Sequence, residues 1–124
     1  PSFSLPCISA IAASDTVIVP IKPGAFEMSG MRLLADQIAS VQGTGLAKRT
    51  VRGLLTIWHN ADATRQSEDW LREHSPIPLF TQKIRRTDKV TESTYAAQPV
   101  TRWSPASAAA RDYRAWVEEL MEVL

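Results

Sequence analysis

Apolar residues fall along this chain in alternating short and long blocks. Thr16-Val17-Ile18-Val19-Pro20-Ile21 is a short run rich in β-branched residues, the pattern of a strand buried on both faces. Lys22-Pro23-Gly24 stops it with turn chemistry. Met31, Leu34, Ile38 and Val41 then recur at helical spacing, with Leu33, Ala35 and Ala39 beside them, which predicts a long amphipathic helix over 26–42. Gly43-Thr44-Gly45 ends it, and Gly43 is placed to serve as the left-handed cap. Strand, tight turn and helix make half of a βαβ unit.

The flanking sequence repeats the theme. Pro6 suits the first turn of a short helix over 6–13, where Ile8, Ile11 and Ala12 share a face. Pro20 lacks a ladder donor and is expected at the end of its strand or at a bulge. A second strand is predicted over 51–58, with Gly53 weakening it but permitting close packing. Asp62 or Thr64 can cap a helix over 64–74, whose apolar face is thin: Trp70 and Leu71. A third strand is predicted over 77–84, where Phe80, Gln82 and Ile84 alternate with Leu79, Thr81 and Lys83, as near the edge of a sheet. Residues 85–99 read as a loop with a helical turn or two after Asp88. Ser104-Pro105 is expected to open the last helix, with Ala109, Tyr113, Trp116, Val117, Leu120 and Leu124 at helical spacing. Strands alternating with helices imply an α/β domain, αβα layered, with a mostly parallel sheet. Three strands and about four helices are few for such a sheet. Together with an opening Pro1-Ser2-Phe3-Ser4-Leu5 that reads as the middle of a loop, this count implies further elements before Pro1.

Composition narrows the class. The 124 residues fit one domain, and 44% hydrophobic content can build a core. No apolar run is long enough to span a bilayer, and no secretory signal opens the chain. The single cysteine, Cys7, excludes an internal disulfide framework and suits a reducing, cytoplasmic compartment. A net charge of +1 leaves only local clusters to speak for nucleic acid. The four tryptophans fall on patterned elements and read as packing residues.

Chemistry-bearing motifs are sparse. Neither G-x-x-x-x-G-K-[ST] nor G-x-G-x-x-G nor G-x-S-x-G is present. His59, His74 and Cys7 do not form a metal-ligand spacing. His59 follows a strand's C-terminal end, where α/β sheets place ligands, but the favoured reading is a solvent-facing loop histidine. The densest polar cluster is Lys83-Ile84-Arg85-Arg86-Thr87-Asp88-Lys89, at the same edge of the sheet. It can cradle phosphate or a nucleobase or touch a DNA backbone, and it reads also as a solvated basic turn.

An ordered set of segments resembles the C-terminal half of the ParA/Soj/MinD group of P-loop ATPases. Pro1-Ser2-Phe3-Ser4-Leu5 resembles the D-x-P-P-S-L stretch after that group's Walker B aspartate, and residues 9–21 resemble N-A-L-x-A-A-D-x-V-I-V-P-x. Residues 26–31 are similar to A-L-x-G-L, Arg52-Gly53-Leu54-Leu55-Thr56 to G-V-L-x-T, and residues 84–92 to I-P-R-N-x-R-L-S-E. Gln98-Pro99-Val100 resembles G-K-P-V, and residues 108–113 resemble x-G-A-x-x-Y. The resemblance covers nearly the whole chain.

It implies the C-terminal portion of a partial P-loop NTPase fold without its phosphate loop, in one α/β domain over 1–124. In that group ATP held between two subunits drives dimerisation, the dimer binds DNA non-specifically or membrane, and a ParB-like partner triggers hydrolysis during plasmid or chromosome partition. The resemblance therefore implies ATP and Mg²⁺ in a full-length parent, none for this chain alone, and no catalytic or metal residue here. The implied adenine-side candidates are Thr56, Trp58, Arg85, Arg86 and Thr87. Arg85 stands where the group has proline and Thr87 where it has asparagine. Lys89 and Arg65 are the implied DNA contacts. No membrane anchor follows the last predicted helix, which points to the DNA branch and no membrane. Two other readings stay open: a non-catalytic half-domain that self-associates through an exposed sheet edge, and a basic-loop nucleic-acid-binding fragment.

Overall fold

The structure, a computed structural model, describes residues 4–42 and 50–124. The cap assigned to Gly43 and the opening Pro1-Ser2-Phe3 lie outside the described residues. The elements run α1 (Leu5–Ala13), β1 (Thr16–Ile21), α2 (Ala25–Gln42), β2 (Thr50–Leu55), α3 (Asp62–His74), α4 (Asp88–Tyr95), α5 (Val100–Trp103) and α6 (Ala108–Val123).

β1 and β2 form a parallel pair, Thr16 opposite Thr50 and Ile21 opposite Leu55. Successive strand side chains point to opposite faces. Val17, Val19 and Ile21 thus join Val51 and Leu55 in one core, with Ile11 of α1, Met31 and Ile38 of α2, Leu71 of α3 and Ile77. Ile18 and Leu54 point the other way, into a second core with Phe80, Ile84 and the Ala109, Tyr113, Trp116, Leu120 and Val123 positions of α6. Helices therefore cover both faces of a small parallel sheet, an arrangement consistent with αβα layering.

The predicted third strand is not a strand. Its segment runs parallel to β2 and meets it at an isolated bridge, Gly53 with Leu79; a second bridge, Trp58 with Arg85, lies just beyond both. The Gly53 N–H donates to the Pro78 carbonyl at 2.8 Å, and the Phe80 N–H returns a bond of 2.8 Å to Gly53. Beyond Phe80 the backbone turns to side chains instead. The Glu119 carboxylate of α6 accepts from the Thr81 and Gln82 N–H groups at 2.6 and 2.9 Å. Arg72 of α3 donates to the Phe80 and Thr81 carbonyls at 3.1 and 3.0 Å. Ile84 then rejoins the sheet, donating to Leu55 at 2.8 Å. Backbone groups that leave a ladder must be satisfied elsewhere, and α3 and α6 supply the partners. Gly53 makes the approach possible: a Cβ there would stand 2.5 Å from Leu79 Cδ2 and 2.7 Å from Ile21 Cδ1.

Other expectations shift in detail. Pro20 lies inside β1, in register with Leu54, rather than at its end. The bonds from Thr50 N–H to Asp15 and from Thr56 N–H to Ile21 fix the parity of the ladder. The backbone groups of Thr16, Ile18 and Pro20 then face the outer edge, where no strand pairs among the described residues, so the missing donor costs no ladder bond. The second strand stops at Leu55. Ala61, with no side-chain cap, precedes α3, and Asp62 sits in its first turn. The thin apolar face of α3 is completed by buried Thr64, Ser67 and Glu68. The loop over 85–99 carries the eight-residue α4. Ser104 closes the short α5, and Ser107 opens α6 by accepting from the Ala110 N–H at 3.3 Å. Val117 on α6 and Leu124 just past its end are exposed, while Val123 packs inward.

Candidate functional site

The loops after β2 and after residue 84 meet at the C-terminal end of the sheet. Trp58 draws them together: its N–H donates to the Ile84 carbonyl at 3.1 Å, and its carbonyl accepts from the Arg86 N–H at 2.7 Å. Between β2 and Trp58 the chain turns through Ile57, which holds φ 53°. A β-branched residue in the left-handed region stores backbone strain. A cleft of about 290 Å³ opens at this junction. Its walls are Thr56 and Ile57 from one loop, residues 84–88 from the other, Val90 and Thr91 from α4, and Tyr113 from α6.

Of the sequence candidates, the structure brings Thr56, Arg85, Arg86 and Thr87 into this one cleft. Trp58 does not line it. Its ring lies under Lys83, whose Nζ is 4.0 Å from the ring centroid and donates to Glu68 at 2.8 Å. Lys89 and Arg65 lie on α4 and α3 outside the cleft walls. Lys89 pairs with Glu92 at 3.0 Å, and Arg65 bonds Asp62 and Asn60.

Arg85 is committed in a way its sequence position did not reveal. Nε and Nη2 of its guanidinium form a fork on Asp112 of α6, each bond 2.9 Å, and its backbone N–H donates to the same carboxylate at 2.9 Å. That N–H points away from β2, because residue 84's carbonyl and residue 86's N–H take the bonds to Trp58. Asp112 is only 5% exposed. Burial pushes its carboxyl up, but the hydrogen bonds from Arg85 and the charges of Arg85 and Arg111 outweigh it, and the carboxyl titrates below its ordinary range. The Asp112 hydrogen bond in turn holds Arg85 protonated. Glu68 follows the same logic: burial raises its carboxyl, and Lys83 and Arg72 together bring it below the usual value.

Thr87 caps α4. Its hydroxyl accepts from the Lys89 N–H at 3.3 Å. Threonine is a good helix cap, so the residue suits this place. The basic run as a whole is not a free cationic patch: Lys83, Arg85, Arg86 and Lys89 each have a carboxylate at 2.8, 2.9, 3.9 and 3.0 Å. Among the described residues no three His, Cys, Asp or Glu side chains come together as a metal site. Asp112, which positions Arg85, is a residue the sequence did not flag. It acts across 27 positions, and as part of a helix face it carries no local signal.

No family model matches the chain. The sequence is 31% identical over 124 residues to two uncharacterized proteins of Mycobacterium tuberculosis, across 98% of this chain and 39% of each relative. It is 25% identical over 123 residues to the chromosome-partitioning ATPase Soj of Thermus thermophilus, across 98% of this chain and 49% of that protein. The chain thus spans less than half the length of these relatives. The likeness to Soj supports a distant ParA-like relation. Among the described residues no helix is long and apolar enough to cross a membrane.

Proposed function

We propose that the chain is the C-terminal portion of a ParA-like ATPase of plasmid or chromosome partition, and that its cleft takes the nucleoside end of ATP. The observation that supports this reading most is the cleft itself: four of the five implied adenine-side positions, Thr56 from one loop and the consecutive Arg85, Arg86 and Thr87 from another, line one pocket at the C-terminal end of a parallel sheet. A volume of about 290 Å³ lies at the small end of ligand sites and suits a base or nucleoside better than a whole nucleotide. The residues present fit such a ligand. Thr56, Thr87 and Thr91 offer hydroxyls, and Ile57, Val90 and Tyr113 offer apolar or aromatic surface. Mg²⁺ and a phosphate loop, from the unmatched part of the longer protein, would supply the charge stabilisation that phosphoryl transfer needs. This chain's residues would only orient the base. Lys89 and Arg65 remain the proposed DNA contacts, with a homodimer and a ParB-like activator the proposed partners, in the cytoplasm.

The test compares two proteins. The coding region upstream of Pro1 should encode a glycine-rich loop with lysine and a strand ending in aspartate. The longer protein should hydrolyse ATP with Mg²⁺, and the 124-residue chain should not. Magnesium-dependent hydrolysis by the short chain, or an upstream region without those motifs, overturns the reading.

One observation favours a second reading. β1 is unpaired on its outer edge among the described residues, although its side chains enter two cores. An open inner strand is a template for association, so a half-domain pairing through this edge follows. A strict monomer by light scattering across the micromolar range would rule it out.

A further inference from the structure

We propose that Asp112 sets the ligand preference of the cleft: by closing a fork on Arg85 it withdraws one of two adjacent arginines and makes the cleft select an uncharged ring over a phosphate. The inference rests on the reading of the cleft as a nucleoside site. Two neighbouring arginines at a loop and a helix start would ordinarily form an anion clamp, because guanidinium groups match phosphate oxygens in pairs. Here they are treated unequally. Arg85 gives Nε, Nη2 and its backbone N–H to a carboxylate that is 5% exposed. Arg86 meets Asp88 at 3.9 Å, with side chains 64% and 89% exposed, a contact that solvent screens and a ligand can displace. Asp88 itself lines the cleft. The two cations thus each face a carboxylate, Asp112 and Asp88, and a phosphate entering here finds Arg85 already engaged and Arg86 alone to bind it. What remains for recognition is hydroxyls and the Tyr113 ring, the means by which a neutral heteroaromatic ring is held.

The experiment titrates the chain and its Asp112→Asn variant with adenosine and, separately, with inorganic pyrophosphate. Asparagine keeps the side chain's shape and removes its charge, which frees Arg85. Pyrophosphate affinity should rise about tenfold in the variant and fall steeply with salt, while adenosine affinity changes by less than about threefold. An unchanged pyrophosphate affinity overturns the inference. A gain for pyrophosphate with no adenosine binding to either protein supports charge selection by Asp112 and overturns the nucleoside reading instead. If the variant does not fold, the native chain decides. On adding pyrophosphate, the Arg86 side-chain resonance should move and the Arg85 Nε–H resonance should not. Movement of both shows Arg85 free to bind and overturns the inference.

Discussion

Replacing Gly53 by alanine tests how the 77–84 segment is held against β2. The new Cβ would lie 2.5 Å from Leu79 Cδ2 and 2.7 Å from Ile21 Cδ1, where carbon contacts are normally about 3.5–4.0 Å. Relief requires a shift of about 1 Å. Ile21 is 3% exposed and packed into the first core, so it has little room to move. Leu79 is half-buried and can give, but it bridges to Gly53 and sits between the two 2.8 Å bonds that dock the segment. Overpacking of this kind costs about 1–3 kcal/mol, offset by about 0.4–1 kcal/mol from the stiffer unfolded chain. A net loss of about 1–2 kcal/mol follows, or roughly 3–5 °C in melting temperature per kcal/mol at this chain length. Urea unfolding followed by tryptophan fluorescence reads it directly. The decisive comparison is a double-mutant cycle with Leu79→Ala. Removing the Leu79 side chain takes away one of the two clashes, so the double variant should lose less than the sum of the singles by about 1 kcal/mol. A neutral or stabilising Gly53→Ala with additive effects would refute the close approach.

Ile57→Gly removes a β-branched residue from a left-handed conformation at a position 48% exposed, and should stabilise the chain by about 0.5–1 kcal/mol in urea unfolding. Acid should destabilise the chain in a defined window. Glu68 and Asp112 both titrate lower folded than their reference values of 4.5 and 3.8. Their stabilisation is therefore complete above those values and drains away as pH falls through the lower folded ones. The urea midpoint should drop below about pH 4, and less steeply in a Glu68→Gln variant. If Lys89 neutralises a DNA phosphate, Lys89→Ala should weaken non-specific binding and reduce the salt slope by about 0.9; an unchanged slope removes Lys89 from the interface.

Where pattern and hydrogen bonding have the same local cause, the sequence was legible. The β-branched run at Thr16–Ile21 and the helical spacing after it are single-element signals, and β1 and α2 stand where the periodicity puts them. The 77–84 segment shows the limit. Its alternation correctly turned Phe80 and Ile84 into a core. Alternation reports which way side chains face, however, and not which groups take the backbone bonds. Those went to Glu119 and Arg72, on helices whose placement the segment itself does not encode. The cleft was legible in part. Thr56, Arg86 and Thr87 came from the family resemblance, whereas the Asp112 fork joins residues 27 apart and had no local sign. Ile57 carried no sign of its positive φ, since its residue type argues against one.

The cleft as a nucleoside site is tested most directly by titrating the isotope-labelled chain with adenosine and mapping its amide resonances. The account predicts saturable shifts concentrated at Thr56, Ile57, Arg86 and Thr87, with Arg65 unmoved. Shifts that do not saturate, or that cluster away from the loops joined at Trp58, would contradict it.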